Sequence, residues 1–140
     1  MASSIPRTAR RRYAAYLSAL SLKVAFFTDT TGYSATAATN TYTTFVAGGA
    51  TEVAHASYTT GGYALTVADS DLAGNGAKLT ATATSVSSAT FSVQYAVIYR
   101  NAAPGSDHIE AVVDFGSSYP VVNGTITITW DATNGVINIA

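Results

Sequence analysis

Cysteine is absent from this chain of 140 residues. Its absence excludes disulfide bonds, thiolate metal ligands and a cysteine nucleophile. Long hydrophobic runs are absent too, since no apolar stretch approaches the ~20 residues that a membrane-spanning helix needs. A chain of this length corresponds to one domain and buries about two-thirds of the surface that its unfolded form exposes, so it can be stable without a covalent cross-link.

The beginning of the chain has some features of a secretory signal. Three arginines at 10–12 precede an apolar stretch at 13–27, and small residues follow at 34–37. A signal peptide combines a basic region, an apolar region and a small-residue cleavage site in this order. Lys23 interrupts the apolar stretch, however. We therefore expect neither a cleaved signal nor a membrane anchor.

Charge is scarce. Charged residues make up 11% of the chain, against about 25% in an average soluble protein, while hydrophobic residues reach 48%. A free monomer with so few charges is close to its solubility limit, whereas a subunit covered by neighbours is not. The composition favours a protein that works inside an assembly. The alternative is a threonine-rich β domain that its hydroxyl groups keep soluble.

The few charges are unevenly placed. Four of the seven basic residues lie in the first twelve positions, at Arg7, Arg10, Arg11 and Arg12. The remaining chain has three basic and eight acidic residues, a net charge of −5. Such a split indicates two roles on one chain, a folded body and a basic leader that contacts something acidic.

The leader is predicted to contain a short helix. From residue 7 to residue 20, Tyr13, Tyr16, Leu17 and Leu20 recur at intervals of three and four, which places them on one helix face. We assign residues 1–21 to a basic N-terminal arm with this helix. Residues 22–140 form the second unit, a β-sandwich domain.

Strand patterns occupy most of that second unit. Alternation is clearest after residue 77, where the odd residues from Phe91 to Tyr99 share one strand face, and Asn134-Gly135 predicts a hairpin that folds 136–139 onto 125–130. About eight strands predict an all-β fold, an antiparallel β-sandwich, with a jelly roll preferred over an immunoglobulin-like arrangement. The predicted strands are 23–28, 42–46, 63–67, 78–84, 89–100, 108–115, 125–130 and 136–139. The predicted loops include 29–40, 69–76 and 116–124, and residues 52–58 fit a helix or an edge strand.

Signals for catalysis are weak. His108 lies near Asp107 and Glu110, but Asp107 points to the opposite face of the predicted strand. Asp69 and Asp71 fit a solvated turn better than a pair of catalytic carboxylates. No serine elbow of the G-x-S-x-G type and no glycine-rich phosphate loop is present. We predict that the chain is not an enzyme and has no cofactor and no metal site.

The basic leader has several possible partners. Four arginines ahead of an acidic body make a poor footprint for nucleic acid, and an anionic membrane is a second possibility. An acidic protein surface fits best, because guanidinium groups bind carboxylates with two hydrogen bonds. The plain alternative is a solvated helix face. The predicted partner-binding residues are Arg7, Arg10, Arg11, Arg12, Tyr13 and Tyr16.

Several segments carry a resemblance to a known family. The chain resembles a family of small virion proteins of tailed bacteriophages, and within it the capsid cement (decoration) proteins, over roughly residues 17–140. The segments that carry the resemblance are Leu22–Thr28, Tyr58–Leu65, Tyr95–Arg100, Val113–Gly116 and Asn123–Asp131.

The resemblance implies a viral structural protein with a jelly-roll fold. Such a protein is assembled in the bacterial host cytoplasm and located on the exterior of the virion capsid. It binds the outside of an icosahedral phage shell, bridges subunits of the major capsid protein and forms a homodimer, without nucleic acid or membrane as a partner. The alternative is a phage tail or fibre module that binds a receptor or a glycan.

Overall fold

The computed structural model describes residues 6–34, 37, 40–72 and 76–139 of the chain. Two helices and seven strands lie within these ranges. In chain order they are α1 (Arg7–Ser18), β1 (Leu22–Phe27), α2 (Tyr42–Ala47), β2 (Tyr63–Leu65), β3 (Val67–Leu72), β4 (Gly76–Ala81), β5 (Thr84–Arg100), β6 (Ile109–Ile128) and β7 (Ile137–Ile139).

The strands form two antiparallel sheets. Their orders are β2-β1-β5-β6 in the four-stranded sheet and β3-β4-β7 in the three-stranded sheet. The predicted fold class, an all-β antiparallel sandwich with a short N-terminal helix, is confirmed. The jelly-roll preference rested on about eight strands, whereas the described residues form seven.

The four-stranded sheet is covered on both faces. Val24 and Phe26 of β1 point into a core that includes Leu79 of β4 and extends to α1. Phe27, on the opposite face of β1, packs in a second core against Phe45 of α2. Since successive strand residues point to opposite faces, burial on both sides makes β1 an almost continuous apolar run, as found in its burial pattern.

Residues 42–46, predicted as a strand, form most of helix α2. The side chain of Thr41 accepts a hydrogen bond from the backbone N–H of Thr44, and Thr44 reciprocates at the Thr41 N–H. The carboxylate of Asp107 accepts hydrogen bonds from the N–H and the hydroxyl of Thr43. A helix begins here because side chains satisfy the N–H groups that its first turn leaves without partners.

Asp107 is the buried anchor of this helix start. Its side chain accepts hydrogen bonds from Thr43 N at 2.8 Å, Thr43 Oγ1 at 2.6 Å and Gly105 N at 2.9 Å. Burial alone would raise the pKa of Asp107, but the hydrogen bonds from Thr43 outweigh it and hold the pKa below its usual value. The stability that this carboxylate adds is therefore present at pH values above the usual pKa of aspartate. It is lost as pH falls through the lower pKa of Asp107 in the folded state.

Replacing Asp107 by Ala is expected to lower the free energy of unfolding by about 2–3 kcal/mol, because three donors lose a charged acceptor. Urea denaturation at pH 7 measures this loss. Asp107→Asn is the matched control, since its amide oxygen can still accept from two of the donors, and its cost should be smaller. Equal stability of Asp107→Ala and the wild type would show that the carboxylate does not hold α2.

Two further predicted loops are strands. Residues 69–71 belong to β3, which pairs with β4 so that Asp69 lies opposite Leu79. Residues 116–124 lie inside β6, which continues through them by means of bulges. Three more residues separate Asp114 from Tyr119 on β6 than separate their partners on β5, and such insertions bend a strand without ending it.

The C-terminal strand was predicted to pair with the wrong strand. Residues 137–139 pair with β4, with Ile137 opposite Leu79, and not with residues 125–130. Asp131 explains the difference, because its carboxylate accepts hydrogen bonds from the N–H groups of Thr133 and Asn134 and so organises a longer turn. The chain thereby crosses from the four-stranded sheet to the three-stranded sheet.

Candidate interaction surface

Helix α1 packs on the body of the protein through small and aliphatic side chains. Ala14 and Leu17 are fully buried, whereas Tyr13 and Tyr16 are 47% and 48% exposed. The helix was predicted correctly, and Leu17 was placed correctly on its buried face. The tyrosines lie beside that face and not on it, so each presents about half of its surface to solvent.

Arg11 binds acidic residues of the same chain. Its guanidinium group lies 3.3 Å from the Asp69 carboxylate and 3.0 Å from the Asp71 carboxylate, both on β3. The hydroxyl of Ser18, the last residue of α1, also donates a hydrogen bond to Asp69 at 3.3 Å. The acidic pair predicted as a solvated turn is therefore the docking site for the leader within the protein. Arg11 is half-buried in this contact and serves to hold the helix.

The other leader arginines differ in exposure. Arg7 begins α1, and its side chain lies outside the described residues. Arg10 is half-buried and Arg12 is exposed. Of the predicted partner-binding residues, Arg12, Tyr13 and Tyr16 are therefore the ones whose described side chains present substantial surface to a partner.

Arg100 clamps the far end of α1. Its guanidinium group donates a hydrogen bond to the Tyr16 hydroxyl at 3.1 Å and lies 5.5 Å from the centroid of the Tyr16 ring. It also forms an ion pair with Glu110, whose side chain is only 6% exposed. The carboxylate of Glu110 raises the pKa of Arg100. Desolvation by burial and the nearby Glu110 together raise the pKa of Tyr13, so its hydroxyl stays neutral.

We call the surface formed by Arg12, Tyr13, Tyr16 and Arg100 the α1 face. The rings of Tyr13 and Tyr16 are stacked, with centroids 6.4 Å apart. Tyrosine and arginine are enriched at protein interfaces because they bury a large area and keep a polar end. The α1 face is thus a rigid aromatic and cationic surface, suited to binding another protein.

A second surface lies along β6. We call it the β6 groove. It has a volume of about 430 Å³ and is lined by Val93, Phe115, Tyr119, Val121 and Thr125–Thr129. The sequence reasoning missed it, because residues 116–124 were predicted as a loop. The uncharged stretch between Asp114 and Asp131 was the feature of the sequence that could have indicated this surface.

A partly buried polar network holds the segment between α2 and β2. Glu52 accepts hydrogen bonds from the Tyr42 hydroxyl at 2.5 Å, the Tyr58 hydroxyl at 2.7 Å and the Gly61 N–H at 2.7 Å. The Tyr99 hydroxyl donates to the Gly61 carbonyl at 2.5 Å. Every partner is a group of the protein itself, so this network stabilises the fold.

The remaining candidates for chemistry have structural roles. Asp107 anchors α2, and Glu110 binds Arg100. The His55 ring nitrogen Nδ1 accepts from the Ser57 N–H two residues away, a local turn contact. Across the described ranges, no group of three histidine or acidic side chains is placed to hold a metal ion. Within the same ranges, neither helix has the length and apolar character needed to cross a membrane.

Searches of protein-family models, curated protein sequences and solved structures found no match to this chain.

Proposed function

We propose that this protein is a structural component of a bacteriophage virion. It is a cement (decoration) protein that binds the outside of the icosahedral shell and bridges subunits of the major capsid protein. The resemblance of residues 17–140 to small virion proteins supports this role. The α1 face carries the proposal physically, because it offers two half-exposed tyrosines beside an exposed arginine.

Rigid presentation makes the α1 face suited to this task. The helix is fixed at one end by Arg11 and at the other by Arg100. A side chain that is ordered before binding loses less conformational entropy on binding than a mobile one. Contacts of modest strength are then sufficient, since a repeating shell multiplies them when one molecule, or a homodimer, touches several subunits.

The low charge of the chain agrees with this location. Only 11% of residues are charged, and a subunit that spends its working life against other proteins needs fewer solubilising charges than a free one. No step of this function requires a cofactor or a catalytic group.

Shell binding by a paired variant tests the proposal. Shells assembled from the major capsid protein encoded with this chain are mixed with purified protein and sedimented. The double variant Arg12→Glu, Tyr13→Ser is expected to lose binding by roughly tenfold or more, because it removes an aromatic anchor and reverses a charge at the interface. The unmodified chain should decorate each shell in many copies.

Val46→Ser provides the matched control. Val46 is 39% exposed on α2, which packs in the core on the opposite face of the sheet from α1. This variant should bind shells like the wild type, and circular dichroism should show that all variants are folded. Equal binding by the double variant would refute the α1 face as the contact. No shell binding by any form, together with binding to tails or to a glycan array, would instead support the tail or fibre module.

A further inference from the structure

Arg100 brings hydrogen-bond donors to the α1 face that the fold does not use. Its Nε donates a hydrogen bond to Glu110, and its Nη1 donates one to the Tyr16 hydroxyl. A guanidinium group has more N–H donors than these two bonds require. The Nη2 atom has no hydrogen-bond partner among the described residues, and it is not a buried atom. Its N–H groups therefore reach solvent and can bind an acceptor there.

The Tyr16 hydroxyl is a second donor at the same place. It accepts the bond from Arg100 at 3.1 Å, so its own proton is left for another acceptor. Arg12 supplies a third group. It lies four residues before Tyr16 on α1, a spacing that puts two side chains on neighbouring positions of one helix face, and it is exposed.

The charge at this place is positive toward solvent. Glu110 is the acid that contacts Arg100, and its side chain is only 6% exposed, whereas the Arg100 side chain is 25% exposed. A ligand that approaches the α1 face therefore meets guanidinium groups and a hydroxyl, and not the carboxylate behind them. Because Glu110 and Tyr16 already hold Arg100 in place, the guanidinium loses little conformational entropy when it binds.

A carboxylate group is the anion that suits this arrangement. The planar edge of a guanidinium matches the two oxygens of a carboxylate. Arg11 shows the same chemistry within the chain, where it contacts Asp69 and Asp71. Nucleic acids and anionic membranes are instead bound by several cations that neutralise many phosphates. The α1 face has two arginines, and one of them is already paired with Glu110.

We propose that Arg100, Tyr16 and Arg12 form a binding site for a carboxylate side chain, an aspartate or a glutamate on the protein to which the α1 face docks. The carboxylate accepts hydrogen bonds from Nη2 of Arg100 and from the Tyr16 hydroxyl, and Arg12 adds a second positive charge. The inference rests on the proposed function for the identity of that protein. The chemistry of the site follows from the side chains alone, so it can be tested without a shell.

An acidic peptide tests the site directly. The probe is an acetylated and amidated triglutamate peptide, added to the full chain labelled with ¹⁵N. Saturable binding is expected, with shift changes concentrated at residues 12–16 and at the Nε–H of Arg100. Added sodium chloride should weaken the binding, because it screens exposed charges. The matched triglutamine peptide has the same length without the charges and should not bind.

Two conservative variants separate ligand binding from a structural role. Tyr16→Phe keeps the ring and removes the hydroxyl donor, so it should weaken binding of the triglutamate peptide by roughly tenfold. Glu110→Gln keeps an acceptor for Arg100 but removes the competing negative charge, so it should strengthen binding by roughly threefold. Tyr119→Phe removes a hydroxyl from β6, away from the site, and should bind like the wild type. Circular dichroism should show that all three variants are folded.

The inference and the proposed function fail in different ways. Equal binding of the triglutamine peptide, shift changes away from the α1 face, or wild-type peptide binding by Tyr16→Phe would each overturn the carboxylate site. Tighter binding of an oligonucleotide or of anionic vesicles to the same residues would assign the site to phosphates and would also overturn it. Shell binding that Tyr16→Phe leaves unchanged, without peptide binding, would refute the site and keep the capsid role. Peptide binding without shell binding would keep the site and refute the capsid role.

Discussion

Gly62→Ala is expected to destabilise the protein by about 3–5 kcal/mol, a large part of the 5–15 kcal/mol that folded domains have. Gly62 has a φ of +69°, a backbone conformation that residues other than glycine rarely adopt. An added Cβ would also stand 2.6 Å from the Val24 carbonyl carbon and 2.7 Å from the Ala25 Cα. Both atoms belong to the backbone of β1, which is paired on both sides, so neither can move aside cheaply.

Gly105→Ala separates the two causes. Gly105 has a φ of +87°, but an added Cβ would meet no atom within 4 Å. Its replacement by alanine should therefore cost only the strain of a side-chain-bearing residue at positive φ, about 1 kcal/mol. Urea denaturation of both variants at pH 7 measures the difference, which belongs to the close approach of Gly62 to β1. Similar costs for the two variants would show that β1 yields to the methyl group.

Local patterns predicted the elements whose apolar residues are regularly spaced. The helix at residues 7–20 and the strand at 78–84 were found within a few residues, because their apolar spacing follows the helix and strand periods. The segment at 42–46 was misassigned, because its threonines and aromatic residues favour strands. Its helix starts with hydrogen bonds that Thr43 donates to the carboxylate of Asp107, which is more than sixty positions away in the sequence.

Irregular pairing made the predicted faces of the longest strands wrong. The odd residues of β5 were expected to share one face, yet Val93 lies in the first core and Val97 in the second. The change of face coincides with an irregularity in the β5–β6 ladder between Val93 and Tyr95, and such irregularities redirect the side chains that follow them. Periodicity assumes a regular ladder, so it cannot place a residue that lies beyond a bulge.

Only the part of the candidate surface that depends on helix spacing was predictable from the sequence. Tyr13 and Tyr16 could be placed on one side of a helix by spacing alone, but their exposure depends on how Ala14 packs against the sheet. The partner of Arg11 was not predictable, because Asp69 and Asp71 reach it only through the pairing of β3 with β4. The basic leader and the acidic body therefore meet within one chain, at least at this residue.

The second large effect is expected at alkaline pH. Burial, followed by the hydrogen bond to Glu52, raises the pKa of Tyr58 and of Tyr42 far above the ordinary value of 10.0. Burial and the charges of Glu52 and Asp107 raise the pKa of Tyr99 to about 12. These hydroxyls keep their protons in the folded chain at pH values where the unfolded chain loses them.

The sign of the pH dependence follows from proton binding. Above pH 10.0, the ordinary pKa of tyrosine, the folded state holds more protons than the unfolded state, so stability falls as pH rises. The stability that the neutral hydroxyls supply is complete below that pH and is lost as pH rises through the folded-state pKa values. Each tyrosine contributes up to about 1.4 kcal/mol per pH unit, and the three together contribute up to about 4 kcal/mol per pH unit.

Urea denaturation between neutral pH and alkaline pH measures this slope. Tyr58→Phe should be less stable at neutral pH, because Glu52 loses a donor and the Phe26 N–H loses its acceptor. The same variant should show a shallower alkaline slope, by up to about 1.4 kcal/mol per pH unit. Tyr119→Phe removes a hydroxyl outside the network and should leave the slope as in the wild type. A Tyr58→Phe slope equal to that of the wild type would mean that Tyr58 ionises alike in the folded and unfolded chains, and the Glu52 network would then not be what resists its ionisation.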